Sequence, residues 1–184
     1  MKTETTTALD LDELPGYYIR RLHQIAVAIF LQETEAHGLT PVQYGALSKV
    51  GGTPGVDQRT LARSIGLDTS TIAGVIDRLE TRGLMQRKAS PGDRRVRLLS
   101  LTDDGQNLLQ AVEPDMLQAQ QRILQPLLAA ERDEFMRMLR KLVTANNELS
   151  RAPSAATAAP AASGAEGGRA SASSQQRQRA ESGE

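Results

Sequence analysis

Residues 61–105 read LARSIGLDTSTIAGVIDRLETRGLMQRKASPGDRRVRLLSLTDDG, and this stretch decides the fold. Asp57 stands where it can cap a short helix carrying Leu61, Ala62 and Ile65. Gly66 permits a tight turn, and Asp68-Thr69-Ser70-Thr71 opens a second helix with Ile72, Val75, Ile76 and Leu79 inward and Gly83 just past its end. Ala62 is small enough to lie under the following helix, while Ile65, Leu67 and Ile72 join the two. From Leu84 onward the period changes. Residues 85–88 and 96–101 flank the turn-rich Ser90-Pro91-Gly92-Asp93, which predicts a β-hairpin. The expected fold class is mainly α with a small β-wing, a winged helix-turn-helix.

The flanks complete the helical frame. Pro15 suits a first helical turn, and Tyr18, Leu22, Ile25 and Ile29 recur at helical spacing, so a helix is expected from about 15 to 35, closed by His37-Gly38. Thr40-Pro41-Val42-Gln43 is a capping box that starts another helix, running to about Lys49. Gly51-Gly52-Thr53-Pro54-Gly55 reads as a plain connector. Thr102 caps a long helix with Asp103 and Asp104 against its N-terminal dipole; Pro114 should kink it and Pro126 bounds it. A last helix is expected from about 130 to 150. Beyond it the composition falls to Ala, Ser, Gly, Gln and Arg, too poor in large apolar groups to offset ordering entropy.

The outward residues of the central stretch suit duplex DNA. Thr69, Ser70, Thr71 and Gly74 face out at the start of the second helix, where small hydroxylic side chains can approach phosphates and base edges. Arg78, one to two turns on, can reach a phosphate or a guanine edge. At the hairpin tip, Asp93-Arg94-Arg95 sets two guanidinium groups beside a carboxylate. One arginine can pair with Asp93 while the other enters a narrow minor groove. The net charge of the chain is zero, with 22 basic and 22 acidic residues, but its distribution is uneven. Between Arg78 and Arg97 there are seven basic residues against Glu80 and Asp93.

Composition excludes other chemistry. The chain has no cysteine, so disulfides, zinc–thiolate sites and thiol redox sensing are out. With two histidines, His23 and His37, there is no histidine-rich metal site. No cofactor is expected. No apolar run reaches 18 residues, so no membrane partner is expected. MKTETTTALDLDELPG lacks the order of a secretory signal, which points to the cytoplasm. No recognisable Ser–His–Asp arrangement or phosphate-cradling loop is present, and an enzyme is not expected. A winged helix used for protein–protein assembly without ligand control is the alternative reading. It would not need two arginines at an exposed tip.

The pattern Arg78-Leu79-Glu80, Gly83-Leu84, Asp93-Arg94-Arg95 and Leu101-Thr102…Gly105 resembles the winged-helix core of the MarR (multiple antibiotic resistance regulator) family, and the resemblance spans about residues 14–150. It implies an intertwined helical homodimer whose two winged lobes straddle a palindromic operator in double-stranded DNA. Helices at 15–35 and 130–150 carry apolar faces outside the small winged core, which need a partner. The expected organisation is a flexible N-terminus (1–10), an N-terminal dimerisation helix (11–39), the DNA-binding domain (40–102), C-terminal dimerisation helices (103–150) and a disordered tail (151–184). On composition that tail reads as passive, with weak attraction of DNA to Arg169, Arg177 and Arg179 as the alternative.

The resemblance further implies a switch, in which a small anionic aromatic bound between the dimer helices and the winged lobe releases DNA. Tyr18, Arg21 and His23 on the first helix and Tyr44 on the second are the candidates to hold such an effector. An arginine can fork onto a carboxylate, and tyrosine or histidine can hydrogen-bond a ring hydroxyl. The expected function is a repressor released by a benzoate-, hydroxybenzoate- or cinnamate-like acid.

Overall fold

The computed structural model describes residues 10–93, 95–150 and 152–154; the expectations for residues 1–9, Arg94, Arg151 and 155–184 lie outside that set. Among the described residues the order is α1 (Pro15–Glu33), α2 (Pro41–Gly52), β1 (Val56–Asp57), α3 (Gln58–Ser64), α4 (Thr69–Thr81), β2 (Met85–Ala89), β3 (Arg97–Leu101), α5 (Asp103–Leu124) and α6 (Ala129–Ala145). Single 3₁₀ turns lie at Leu11–Glu13, Glu35–His37 and Asn147–Leu149.

Local chemistry sets these boundaries. The Thr40 hydroxyl accepts from Gln43 N at 3.3 Å, while Gln43 Oε1 accepts from Thr40 N at 3.0 Å, a reciprocal cap with Pro41 in the first turn. Asp57 caps α3 by accepting from Thr60 N, and Thr102 caps α5 by accepting from Gly105 N. α1 ends two residues before the expected bound because Thr34, almost fully buried, turns its hydroxyl onto Phe30 O at 2.8 Å. Gly38 then takes the left-handed conformation at φ +59°.

α2, α3 and α4 pack with the sheet around one core in which Leu47, Leu61, Ile72, Ile76, Leu79 and Leu99 are fully buried. The sheet runs β1-β3-β2, all antiparallel, with Met85 opposite Leu101 and Ala89 opposite Arg97. β1, directly after the glycine-rich stretch 51–55, is a strand that the sequence reading did not include. Gly55, at φ +84°, donates to Leu99 O at 2.8 Å and swings Val56 into register with Leu99. α2 likewise outruns its expected end at Lys49. A Cβ on Gly51 would lie 2.8 Å from Leu109 Cδ2, so this glycine admits the side chains of α5 rather than breaking the helix.

α5 passes through Pro114 as one continuous helix, and its first turn lies hard against the wing. α1 packs along α5, and Arg122 ties the pair by donating to Glu33 Oε1 at 2.7 Å. α6 is shorter than expected, closed by Asn146 Nδ2 donating to Leu142 O. It buries no residue, and Met138, Leu142 and Val143 are exposed along it. Ile19, Ile25 and Leu31 are exposed on α1. Among the described residues no helix is long and apolar enough to cross a membrane.

Candidate nucleic-acid interface

The turn between α3 and α4 is built as the sequence implies. Ala62 is fully buried, Leu67 N donates to Ala62 O at 2.9 Å, and Gly66 holds φ +68°. α4 sinks Ile72, Val75, Ile76 and Leu79 into the core, which leaves Thr69, Ser70, Thr71 and Arg78 exposed and Gly74 half-buried. Ser70, Gly74 and Arg78, four residues apart, share one face. The Arg78 guanidinium folds back to 4.0 Å from where a Cβ on Gly74 would stand. Glycine there leaves the face flat.

Asp68 organises the start of this helix more completely than its position as a cap suggests. One carboxylate oxygen accepts from Ser70 N, Thr71 N and the Ser70 hydroxyl, at 3.0, 2.8 and 2.5 Å. The other accepts from the Thr71 hydroxyl at 2.7 Å. The Ser70 hydroxyl first, then the Thr71 amide and hydroxyl, hold the Asp68 carboxyl far below the usual carboxylate range. With both hydroxyl protons turned toward Asp68, the outward side of Ser70 and Thr71 offers lone pairs.

The basic run divides into structural and free cations. Arg87 pairs with Asp77 and sets its Nε 3.0 Å from Glu80 Oε2, while its backbone N donates to Glu80 Oε1 at 2.8 Å. It fastens β2 to α4. Arg82 donates to Gly38 O at 2.8 Å and His37 O at 3.2 Å, fixing the far end of α4 to the turn after α1. Arg78, Lys88, Arg95 and Arg97 are exposed and have no acid within salt-bridge distance among the described residues. Sequence reasoning missed this division, because acids seven and ten positions from Arg87 belong to a different element. It also passed over Arg59 and Arg63, exposed on α3 beside the start of α4.

At the wing tip Asp93 accepts from the backbone N of Arg95 at 2.9 Å, while Val96 N donates to Asp93 O at 2.9 Å. The tip is thus stiffened through the main chain, and the Arg95 guanidinium is not held by Asp93. Arg94 lies outside the described residues.

The four effector candidates do not converge within one chain. Tyr18 stands edge-on to Tyr17 at 5.5 Å, Arg21 donates to Gln24 Oε1 at 3.3 Å, and Tyr18, Arg21 and His23 are exposed. Tyr44 is half-buried and packs on Phe30 at 6.1 Å. Phe30 follows Tyr18 by about 18 Å along α1 at 1.5 Å per residue. Among the described residues no group of three or more His, Cys, Asp or Glu side chains could hold a metal ion.

Comparison with known proteins agrees with this architecture. The model of the MarR family matches residues 39–96, from the residue before the α2 cap to the wing. The HTH-type transcriptional repressor NicR of Pseudomonas putida is 32% identical over 140 residues, covering 76% of this chain and 89% of the relative. The structure of Bordetella bronchiseptica BpsR, solved to explain regulation of its DNA binding by 6-hydroxynicotinic acid, is similar with a TM-score of 0.70 and 32% identity, covering 74% of this chain and 97% of that one. The repressor CouR bound to a 23-mer DNA duplex is similar with a TM-score of 0.69 and 30% identity, covering 74% of this chain and 99% of that one. With a winged helix-turn-helix, a family match centred on it and repressors aligned along most of their length, this chain belongs to the MarR family of transcriptional regulators.

Proposed function

We propose that the chain is a homodimeric repressor that occupies a pseudo-palindromic duplex site and leaves it when a small aromatic carboxylate binds. The observation that carries the reading is the pairing of an exposed α4 face with unpaired cations on the adjoining wing. Thr69, Ser70, Thr71, Gly74 and Arg78 would enter the major groove. Asp93 would shape the wing tip so that Arg94 and Arg95 reach the neighbouring minor groove. CouR, a similar protein, has been seen on a DNA duplex, which supports a polyanionic partner.

Residues 40–102 would be the reading unit, with 11–39 and 103–150 as the dimerisation elements. Exposed Ile19, Ile25 and Leu31 on α1 and Met138, Leu142 and Val143 on α6 support that assignment, since burying each such side chain contributes about 1.5–3 kcal/mol. Two bound copies would place their reading helices about 34 Å apart, one turn of DNA. A chromosomal target implies action in the cytoplasm.

The effector site would lie along α1. Tyr18, Arg21 and His23 are exposed beside an unpartnered apolar face, so a second copy would close the pocket around them. Tyr44, a separate feature on Phe30, would sense the ligand only if α1 and α2 shift together. The acid 6-hydroxynicotinic acid regulates DNA binding by BpsR, which supports a hydroxylated aromatic acid here. Titrating benzoate, hydroxybenzoate, hydroxynicotinate and cinnamate against the DNA-bound protein tests the switch. Release by one of them, weakened by Arg21→Ala, is expected; no release at millimolar concentration by any would remove the effector class.

A further inference from the structure

After α6 the chain turns back and fastens onto the winged core. Asn147, in the 3₁₀ turn that follows the helix, is buried. Its amide pairs with both main-chain groups of one residue: Nδ2 donates to Ser154 O at 3.1 Å, and Oδ1 accepts from Ser154 N at 2.8 Å. A buried amide is costly unless paired, so the clasp holds the returning strap in one register. That strap, residues 152–154, lies against the turn between α3 and α4. The Ser154 hydroxyl lies 3.5 Å from Ser64 O, on the last turn of α3. A Cβ on Gly66 would stand 3.7 Å from Ser154 Cβ and 3.8 Å from Ala152 O, so the glycine of the turn also makes room for the strap. One groove beside the strap is lined by Leu67, Asp68 and Thr69 at the opening of α4, and another by Val143 and Asn146 at the end of α6.

We propose that Asn147 is a positioning residue, which holds α4 at a fixed angle to the dimerisation helices and thereby sets the half-site spacing that the dimer accepts. The inference rests on the dimeric DNA-binding reading above. α4 is tied down at both ends. Just past its C-terminal end, Arg82 donates to His37 O and Gly38 O, and His37 is joined to Asp115 on α5. Just before its N-terminal end, the turn at Gly66 carries the strap, which Asn147 fastens to the end of α6. With 13 residues in α4, the two attachments stand about 18 Å apart. A body held at one point pivots about it, and a second attachment at that distance removes most of the freedom. On the proposed dimer, the exposed Met138, Leu142 and Val143 of α6 would pack on a second copy. The clasp would then tie α4 to the dimer seam across seven residues, a far shorter path than the length of α5. An orientation fixed beforehand lowers the entropy lost when both copies engage one duplex, and it rejects a duplex whose half-sites are displaced.

The test uses a duplex selected by the full chain from a random pool, and a second duplex with one base pair inserted at its centre of symmetry. The insertion moves the half-sites apart by about 3.4 Å and turns them by about 35°. The full chain, Asn147→Ala and Ser154→Pro are titrated on both. Ser154→Pro breaks the clasp from the opposite side by removing the N–H that Asn147 accepts from, and it lies beyond the last helix, so it decides the matter if Asn147→Ala does not fold. The parent is expected to bind the inserted duplex about thirtyfold more weakly than the original, and each variant about threefold more weakly. The salt slope on the original duplex should stay at the parent's value, because no phosphate contact is lost. Equal weakening of a variant on both duplexes, which keeps the parent's ratio, overturns the inference and leaves Asn147 a support of the fold. A parent that binds both duplexes alike overturns it too, while leaving DNA binding intact. If the selected site lacks two-fold symmetry, or no duplex is retained, the dimeric DNA-binding reading falls and the inference falls with it.

Discussion

His37 Nε2 stands 2.8 Å from Asp115 Oδ2, joining the turn after α1 to the middle of α5. The same turn is held from below by Arg82, which donates to the carbonyls of His37 and Gly38. Residues 37–38 are thus the junction where the two long helices meet the C-terminal end of α4. Replacing Arg82 by Ala removes two charge-assisted bonds at an exposed position, and a loss of about 1 kcal/mol is expected. Calorimetry should show the midpoint falling by about 2–4 °C. An unchanged midpoint would mean that the junction does not hold α4.

Of the described glycines, Gly105 has the least room for a side chain. A Cβ there would lie 1.9 Å from Leu84 O, so the first turn of α5 can sit against the wing only without a side chain. Gly105→Ala should therefore cost about 3 kcal/mol or more, seen as a large drop in the urea midpoint. Gly45, inside α2 with nothing within 4 Å of its Cβ position, is the contrast. Gly45→Ala should gain about 0.5–1 kcal/mol from helix propensity. A Gly105→Ala protein as stable as the parent would contradict the described seating of α5.

Asp68 gives the fold an acid-sensitive point. Its carboxyl is depressed in the folded chain, chiefly by the Ser70 hydroxyl. The stability it contributes is thus fully present above its unfolded value near 4 and is lost as pH falls toward the folded value. Asp57, lowered first by the Thr60 hydroxyl, acts in the same direction. The stability gap between the parent and Asp68→Asn should be constant from pH 8 to about 5 and narrow below pH 4. A gap that widened on acidification would reverse the assignment.

The same carboxylate should tune sequence preference. Because Ser70 and Thr71 direct their protons to Asp68, on the proposed reading they would present acceptors to the major groove, which would suit the amino groups of adenine and cytosine. Asp68→Ala frees both protons. Sites selected from a random pool should then shift at the contacted positions toward guanine and thymine, whose edges accept. Identical selected sites for the two proteins would show that these hydroxyls do not read bases.

Much of this architecture was legible because local chemistry and global packing agree. The Thr40, Asp57, Asp68 and Thr102 caps stand where the sequence placed them. The inward residues of α4 are those its spacing implied. β1 escaped notice because two residues carry no period; its existence depends on Leu99, more than forty positions away. The sequence ends α2 near Lys49 and places Gly51 in the connector, because it does not reveal that Leu109 approaches this glycine. The Asp93–Arg95 motif was seen, but its bond runs through the main chain. Arg87 belongs to the basic run by count, but Asp77 and Glu80 hold it, and sequence does not place those acids beside it. The effector candidates sit on an exposed face of α1, where neither spacing nor a single chain says which side chains share a cavity.

The central claim is that α4 and the wing read duplex DNA together. Its most direct test is the affinity and salt slope of four proteins on a selected duplex: the parent, Arg78→Ala, Arg95→Ala, and a Thr69→Ala/Thr71→Ala double variant. Arg95→Ala should weaken binding across all sequences and flatten the slope by about 0.9. Arg78→Ala and the double variant should cost about 1–3 kcal/mol at the preferred site and little elsewhere. Parent-like affinity, slope and preference in all three variants would contradict the account.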